Sequence, residues 1–393
     1  EYTYFKEIYH DIVSFTYLIT NYLLIRPVSI AILVLFFSET TLSFLFENYE
    51  EMFWTCRFLS IAAIISICTL NCLSEKWTII VNDVLTYLKF ICMSIIIVLG
   101  IYKLARGQFE NISNLGFNIK TSPRAISSAL YNGMWAYDGF NQLGYIVTKM
   151  KNPKRNLVRA SILGLLLVVI FYMFINMSYL IILGVEGVSD SNNVVQSAVY
   201  PYFRGFTTII TVMISLSALA TANSTSYFGG NLYYDAAKNG HFPKLLAAVH
   251  SKFKTYIPAL TTQTIVTILF LFFAPDIKVL LMYFSGASWV YYSLTFLAVI
   301  VSRYGSKIKK PFKIWIGIPA ITFVVSCVIV ILGFIQDWFS SLISISIIFC
   351  SLPSYYFFIY KKGVIPKKAK IFFDNATDWI FEKFNLRFNS EID

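Results

Sequence analysis

YNGMWAYDGFNQLG, residues 131–144, is the stretch on which the reading of this chain turns. It sits within an apolar run, residues 125–147, that is long enough to cross a bilayer. An ordinary membrane helix fills its centre with Leu, Ile and Val. This one carries Asn132, Gly133, Asp138, Gly139, Asn141 and Gln142 there. Glycine is a poor helix former and packs no side chain. A carboxylate near the bilayer centre costs about 2.5–3.5 kcal/mol on insertion scales. Two arrangements accommodate the combination. Either the backbone opens onto a water-lined or ligand-lined cavity, or a kinked helix packs on its neighbour through the glycines. The number of polar groups favours the open backbone.

Working outward, the whole chain has a membrane composition. Of its 393 residues, 57% are hydrophobic, 18% aromatic and only 13% charged, against about a quarter charged in soluble domains. Mean hydropathy is +0.65. One soluble core cannot bury that much apolar surface, so lipid is the solvent for most of it. The fold class is therefore an all-α membrane protein. About ten spans are expected, at residues 12–37, 53–73, 79–104, 125–147, 160–183, 205–227, 257–274, 277–301, 314–335 and 338–360. Residues 1–360 read as one transmembrane domain and 361–393 as a tail. Within that tail, residues 371–384 place Phe373, Ile380 and Phe384 near one helical face, which fits an interfacial helix. The chain opens on Glu1 rather than Met and reads as the remainder of a longer one.

The net charge of +11 is distributed in loops, which argues against nucleic acid. Loop 148–159 carries Lys149, Lys151, Lys154, Arg155 and Arg159; loop 233–256 carries Lys238, Lys244, Lys252 and Lys254; loop 302–313 carries Arg303, Lys307, Lys309, Lys310 and Lys313. They alternate with loop 38–52, which has four glutamates and no Lys or Arg, and with loop 184–202, which has no Lys or Arg either. Basic loops stay cytoplasmic, so both chain ends are expected there. Loop 102–124 is then external and holds the sequon Asn111-Ile112-Ser113.

No catalytic or metal constellation is legible. GxxxxGK, HExxH and GxSxG are absent, and His10, His241 and His250 all fall in expected loops. Cys56, Cys68, Cys72, Cys92, Cys327 and Cys350 lie in or beside apolar runs without a CxxC, and read as small buried hydrophobes. No cofactor is expected. Four sets of polar residues inside spans need explaining. Arg26-Pro27 reads either as a structural pair with a neighbouring helix or as functional. Asp83 and Lys89 are six residues apart and point to different helix faces, so Lys89 is a lone ammonium in the membrane. Ser215, Ser217 and Thr221 suit helix packing, whereas the Asn223 amide needs several partners. Ser285-Gly286 and Trp289 either pack or line a cavity.

The segment LYNGMWAYDGFNQLGYIVTKMKNPKRNL, residues 130–157, resembles the L-type amino acid exchangers, the light chains of heteromeric amino acid transporters in the amino acid–polyamine–organocation superfamily. Within them it looks most like the exchangers of neutral and dibasic amino acids and cystine. The resemblance covers the chain in order: EYTYFKE at 1–7 and IRP at 25–27, NDV at 82–84 with Lys89, TANSTSYF at 221–228 with GHFP at 240–243, and YFSGASWVYY at 283–292. It implies an inverted repeat of five plus five helices with two more, of which this chain holds the third to the twelfth and lacks the first two. It implies sodium-independent antiport of neutral and basic L-amino acids by alternating access at the plasma membrane. The rival expectation is a non-transporting membrane fragment or inactive paralogue.

The same resemblance implies a substrate site at Trp135, Ala136, Tyr137, Asp138, Gly139, Asn141 and Asn223. Trp135 would gate, and the carbonyls of Trp135, Ala136 and Asp138 would hold the amino group. The Asp138 carboxylate would favour a cationic or cystine side chain. Lys89 would stand where sodium-coupled relatives bind the ion. Thr148-Lys149, Asn231 and Lys238-Asn239 replace charged gate residues of the family. A single-pass glycoprotein heavy subunit is the implied partner, but no cysteine stands near Tyr49 to link it, and Cys56 is placed within a helix.

Overall fold

The computed structural model describes residues 1–46, 48, 51–108, 110–113, 122–191, 193–202, 205, 207–273, 276–305, 314–360, 375 and 377–388. The helices run in the order α1 (Tyr2–Ile8), α2 (Asp11–Thr20), α3 (Arg26–Leu45), α4 (Phe53–Leu73), α5 (Glu75–Ala105), α6 (Glu110–Ser113) and α7 (Pro123–Ala136), then α8 (Pro153–Asp190), α9 (Val194–Val199), α10 (Thr207–Lys238), α11 (Ile257–Phe273), α12 (Ile277–Gly305), α13 (Gly317–Gln336) and α14 (Trp338–Tyr355). Among the described residues, eight segments are long and apolar enough to cross a membrane. α11, a shorter apolar helix of 17 residues, and the interrupted run after Pro123 fall where the other two spans were expected. The side chains of Thr148 and Lys149, and loop residues 306–313 with Lys307, Lys309, Lys310 and Lys313, lie outside the described residues.

α2 and α3 form one 35-residue span at the centre of the bundle. A single π-helical stretch, Asn21–Ile25, joins them. Pro27 explains it: the ring has no N–H and collides with the carbonyl of the preceding turn, and a wider turn relieves both. Pro27 is thus accommodated by a local widening of the helix. The first half of α3, residues 26–35, is buried throughout, with Val28, Ile30, Ala31, Ile32, Val34 and Leu35 inside. It packs against α10, α4, α11 and α12. α5, α8 and α13 sit at the rim, where leucines such as Leu163 and Leu166 on α8 are exposed to what would be lipid.

The 38-residue α8 is two helices meeting at Gly184, whose φ of 74° lies in the left-handed region. The carbonyls freed there are capped by α5 and α6. Lys103 Nζ donates to the Ile182 carbonyl at 2.9 Å, and Asn111 Nδ2 donates to those of Ile181 and Ile182 at 3.0 and 3.3 Å. This corrects the sequon reading. The amide nitrogen that would carry a glycan is committed to capping α8. Cys56 is buried within α4, and the position near Tyr49 lies outside the described residues.

The tail returns to the bundle. Strand β1 (Ala248–His250) pairs antiparallel with β2 (Leu386–Phe388), matching Val249 with Arg387. Residues 377–383 are helical, and 371–374 of the expected interfacial helix lie outside the described residues.

Candidate functional site

α7 starts well, with Ser122 Oγ accepting from the Ala125 N–H at 3.2 Å and Pro123 in the first turn. It stops at Ala136 after 14 residues, about 21 Å of helix and too short to cross. Backbone bonding then tightens to three-residue steps. Tyr137 N–H donates to the Met134 carbonyl at 3.2 Å and Asp138 N–H to that of Trp135 at 3.1 Å. Gly139 turns the chain at φ 103°. A 3-10 segment, Gln142–Lys149, resumes the run. No backbone N–H among the described residues reaches the carbonyls of Ala136 or Asp138. The residues of the break, Trp135, Ala136, Tyr137, Asp138 and Gly139, line a cavity of about 880 Å³, whose wall also includes Lys89, Thr221 and Ser29. The break opens onto a hollow, so the alternative of a helix packed through its glycines does not hold.

Lys89 Nζ donates to Thr221 Oγ1 at 3.2 Å, which places an ammonium on the wall of the same cavity. Asp83, on another face of α5, is exposed and is not its partner. Asp138 accepts a short hydrogen bond from Tyr292 of α12. A satellite cavity of about 130 Å³ between Trp135, Asp138, Ser285 and Trp289 shows that the α12 residues line space as well as pack.

Asp138 also borders a separate space of about 20 Å³, room for roughly one water. Asn141 lies here, away from the large cavity, with Tyr17, Asn21, Arg26, Tyr145, Ser288 and Tyr292. Asn141 Nδ2 donates to Glu1 Oε1 at 2.6 Å, while Tyr145 and Tyr17 hydroxyls donate to Oε2 at 2.9 and 3.2 Å. Arg26 is buried, with its guanidinium over the Tyr145 ring at 4.9 Å and its Nε lacking a hydrogen-bond partner. It therefore belongs to this polar cluster, not to an isolated structural pair. Formally the cluster holds one cation, Arg26, against two carboxylates, Glu1 and Asp138, which leaves one negative charge.

Asn223 stands elsewhere. Its Oδ1 accepts from Asn71 Nδ2 at 2.7 Å, its Nδ2 donates to the Thr78 carbonyl at 3.2 Å, and it borders a separate apolar recess with Leu59, Leu70 and Val81. It ties α10 to α4 and α5 and does not line the cavity at the break. The amide's need for partners was legible; the direction in which it finds them was not. Glu1, Tyr17, Asn21, Tyr145 and Tyr292 were missed altogether. The one local signal was the spacing of Tyr17 and Asn21, which puts them on one helix face.

Against this geometry the comparisons with known proteins are direct. The amino acid permease family model matches residues 1–369. The chain belongs to the amino acid permease family. The permease is 32% identical over 365 residues to b(0,+)-type amino acid transporter 1 of Mus musculus, covering 92% of this chain and 74% of the relative. It is also 32% identical over 373 residues to its Homo sapiens counterpart, covering 94% and 76%. The cystine/glutamate transporter of Homo sapiens is 28% identical over 359 residues, covering 91% and 72%. The permease is thus an integral membrane protein of a transporter family and not an enzyme.

Proposed function

We propose that the permease is a sodium-independent exchanger of neutral and basic amino acids that works by alternating access in an inverted-repeat bundle. The observation that carries this reading is the break at residues 137–141, which presents unpaired carbonyls and the Asp138 carboxylate to one cavity. A substrate ammonium is received by the carbonyls of Ala136 and Asp138, since main-chain oxygens at a helix end carry the negative end of its dipole. The Trp135 carbonyl is already engaged by Asp138 N–H, so Trp135 serves through its ring, as a gate. The surplus negative charge of the Glu1, Asp138 and Arg26 cluster favours a cationic side chain, because a buried unpaired charge is costly. Lys89 supplies a fixed positive charge at the wall and replaces a sodium ion. Basic loops face the cytoplasm, which puts both chain ends there, and the membrane is the plasma membrane. A single-pass heavy subunit binds without the usual disulfide.

The test is uptake of labelled arginine by the full-length chain in proteoliposomes. Expected is uptake that requires leucine inside and is unchanged when sodium is replaced by choline. Equal uptake into empty vesicles would refute exchange, and no uptake in any vesicle would favour the non-transporting alternative.

A further inference from the structure

The four-residue knot at Glu1 is not explained by substrate binding. Glu1 does not line the large cavity; its carboxylate bonds to Asn141 and Tyr145, which line a separate space of about 20 Å³. It joins two elements that are far apart in sequence. One side is rigid. Glu1 caps α1, with its carbonyl accepting from Phe5 N–H at 2.9 Å. α1 is pinned to the bundle by Tyr2, whose hydroxyl meets His241 Nδ1 at 2.9 Å, and by Tyr9, whose hydroxyl donates to the Leu294 carbonyl at 2.8 Å. Tyr17 of α2 completes that side. The other side is the chain just after the break, through Asn141 Nδ2 and Tyr145 Oη. The Tyr17 hydroxyl also lies 2.7 Å from that of Tyr145, so its single proton is shared between Tyr145 Oη and Glu1 Oε2. The chain is interrupted at Gly139, the one point where its backbone can pivot between the two halves, and the 3-10 segment beyond it packs against α8 and α10.

We infer that Glu1 is the positioning residue that holds the second half of the broken helix closed on the cytoplasmic side of the site. Hydrogen bonds to a carboxylate are the strong kind. Made in one state and lost when Asn141 and Tyr145 move away, they bias the two-state equilibrium toward the inward-closed form. Glu1 does not touch substrate. It sets how often the site is presented to the outside.

This rests on the transport reading, and its test separates the two. In the full-length chain, Glu1→Ala shifts the population toward the inward-open form. The apparent KM at the external face rises roughly tenfold, the effect of one charge-assisted hydrogen bond, while the internal KM does not rise. Glu1→Gln, which keeps an acceptor for Asn141 without the charge, gives a smaller rise, and Tyr145→Phe reproduces part of it. A purely structural defect lowers the maximal rate from both faces and leaves this asymmetry out. A second readout needs no transport. With Ser288→Cys in the pocket behind Glu1, adding Glu1→Ala speeds labelling by a membrane-impermeant thiol reagent from the cytoplasmic face, relative to the chain without that cysteine. Equal KM changes at both faces, a rise confined to the internal face, or unchanged labelling would each overturn the inference.

Discussion

Replacing Asp138 by Asn tests the substrate reading at one atom. The change keeps shape and keeps a carbonyl oxygen for the Tyr292 hydroxyl that now donates to Oδ1, so the contact between the broken helix and α12 survives. What is lost is the charge. The cluster then holds Glu1 against Arg26 and is formally neutral, and a cationic side chain entering the cavity no longer meets a surplus negative charge. A hydrogen bond to a charged group contributes about 1.5–3 kcal/mol. At about 1.4 kcal/mol per factor of ten, that is roughly a ten- to hundredfold loss for arginine relative to leucine. The assay is competition between labelled arginine and leucine in proteoliposomes holding the full-length variant, read as a ratio of kcat/KM so that expression level cancels. Leucine exchange should persist. An arginine-to-leucine ratio equal to that of the parent would refute the role of the carboxylate. Loss of both substrates together would recast Asp138 as a strut for Tyr292.

Three further outcomes follow from single positions. Gly139→Ala puts a side chain at φ 103°, where its Cβ meets the flexible Gln142 side chain, Nε2 at 3.4 Å and Cδ at 3.7 Å, so the penalty is backbone strain of about 1–3 kcal/mol; thermal unfolding in detergent should shift down by a few degrees, and no shift would deny that the turn is constrained. Gly100→Ala drives a Cβ to within 2.9 Å of Ser178 Cα, forcing α5 from α8 at a cost of about 1–3 kcal/mol; Ser178→Gly in the same chain should restore part of the lost stability. His241, in the loop after α10, is held below the usual imidazole range first by burial and then by Lys6, with Asp11 opposing. A folded state that prefers the neutral ring is fully stabilised above the unfolded pKa of about 6.5 and loses that contribution as pH falls through it. Stability should therefore decline as pH falls below about 6.5, and His241→Gln should flatten that decline.

The interruption at residues 137–141 was readable because glycine, asparagine and a carboxylate inside an apolar run have few other solutions in lipid. The positions of eight of the spans were readable because bilayer thickness fixes how many apolar residues a helix needs. The solitary state of Lys89 followed from helical rotation alone. Where reading failed, a polar group had two plausible neighbours. Asn111 looked like a glycan acceptor until Gly184 opened two carbonyls beside it. Asn223 belonged by sequence resemblance to the substrate cavity, yet its amide turns to Asn71 and Thr78.

Sequence alone thus determined that this is a helical membrane protein, where its spans lie, and where one of them comes apart, since each of these depends on a run of neighbours meeting a solvent of known thickness. Tertiary structure alone decided which polar groups converge. Asp138 finds Tyr292 across 154 residues, and Glu1 finds Tyr145 across 144. Such meetings depend on the rotation of each packed helix, about 100° for every residue of register, and no local pattern carries that angle.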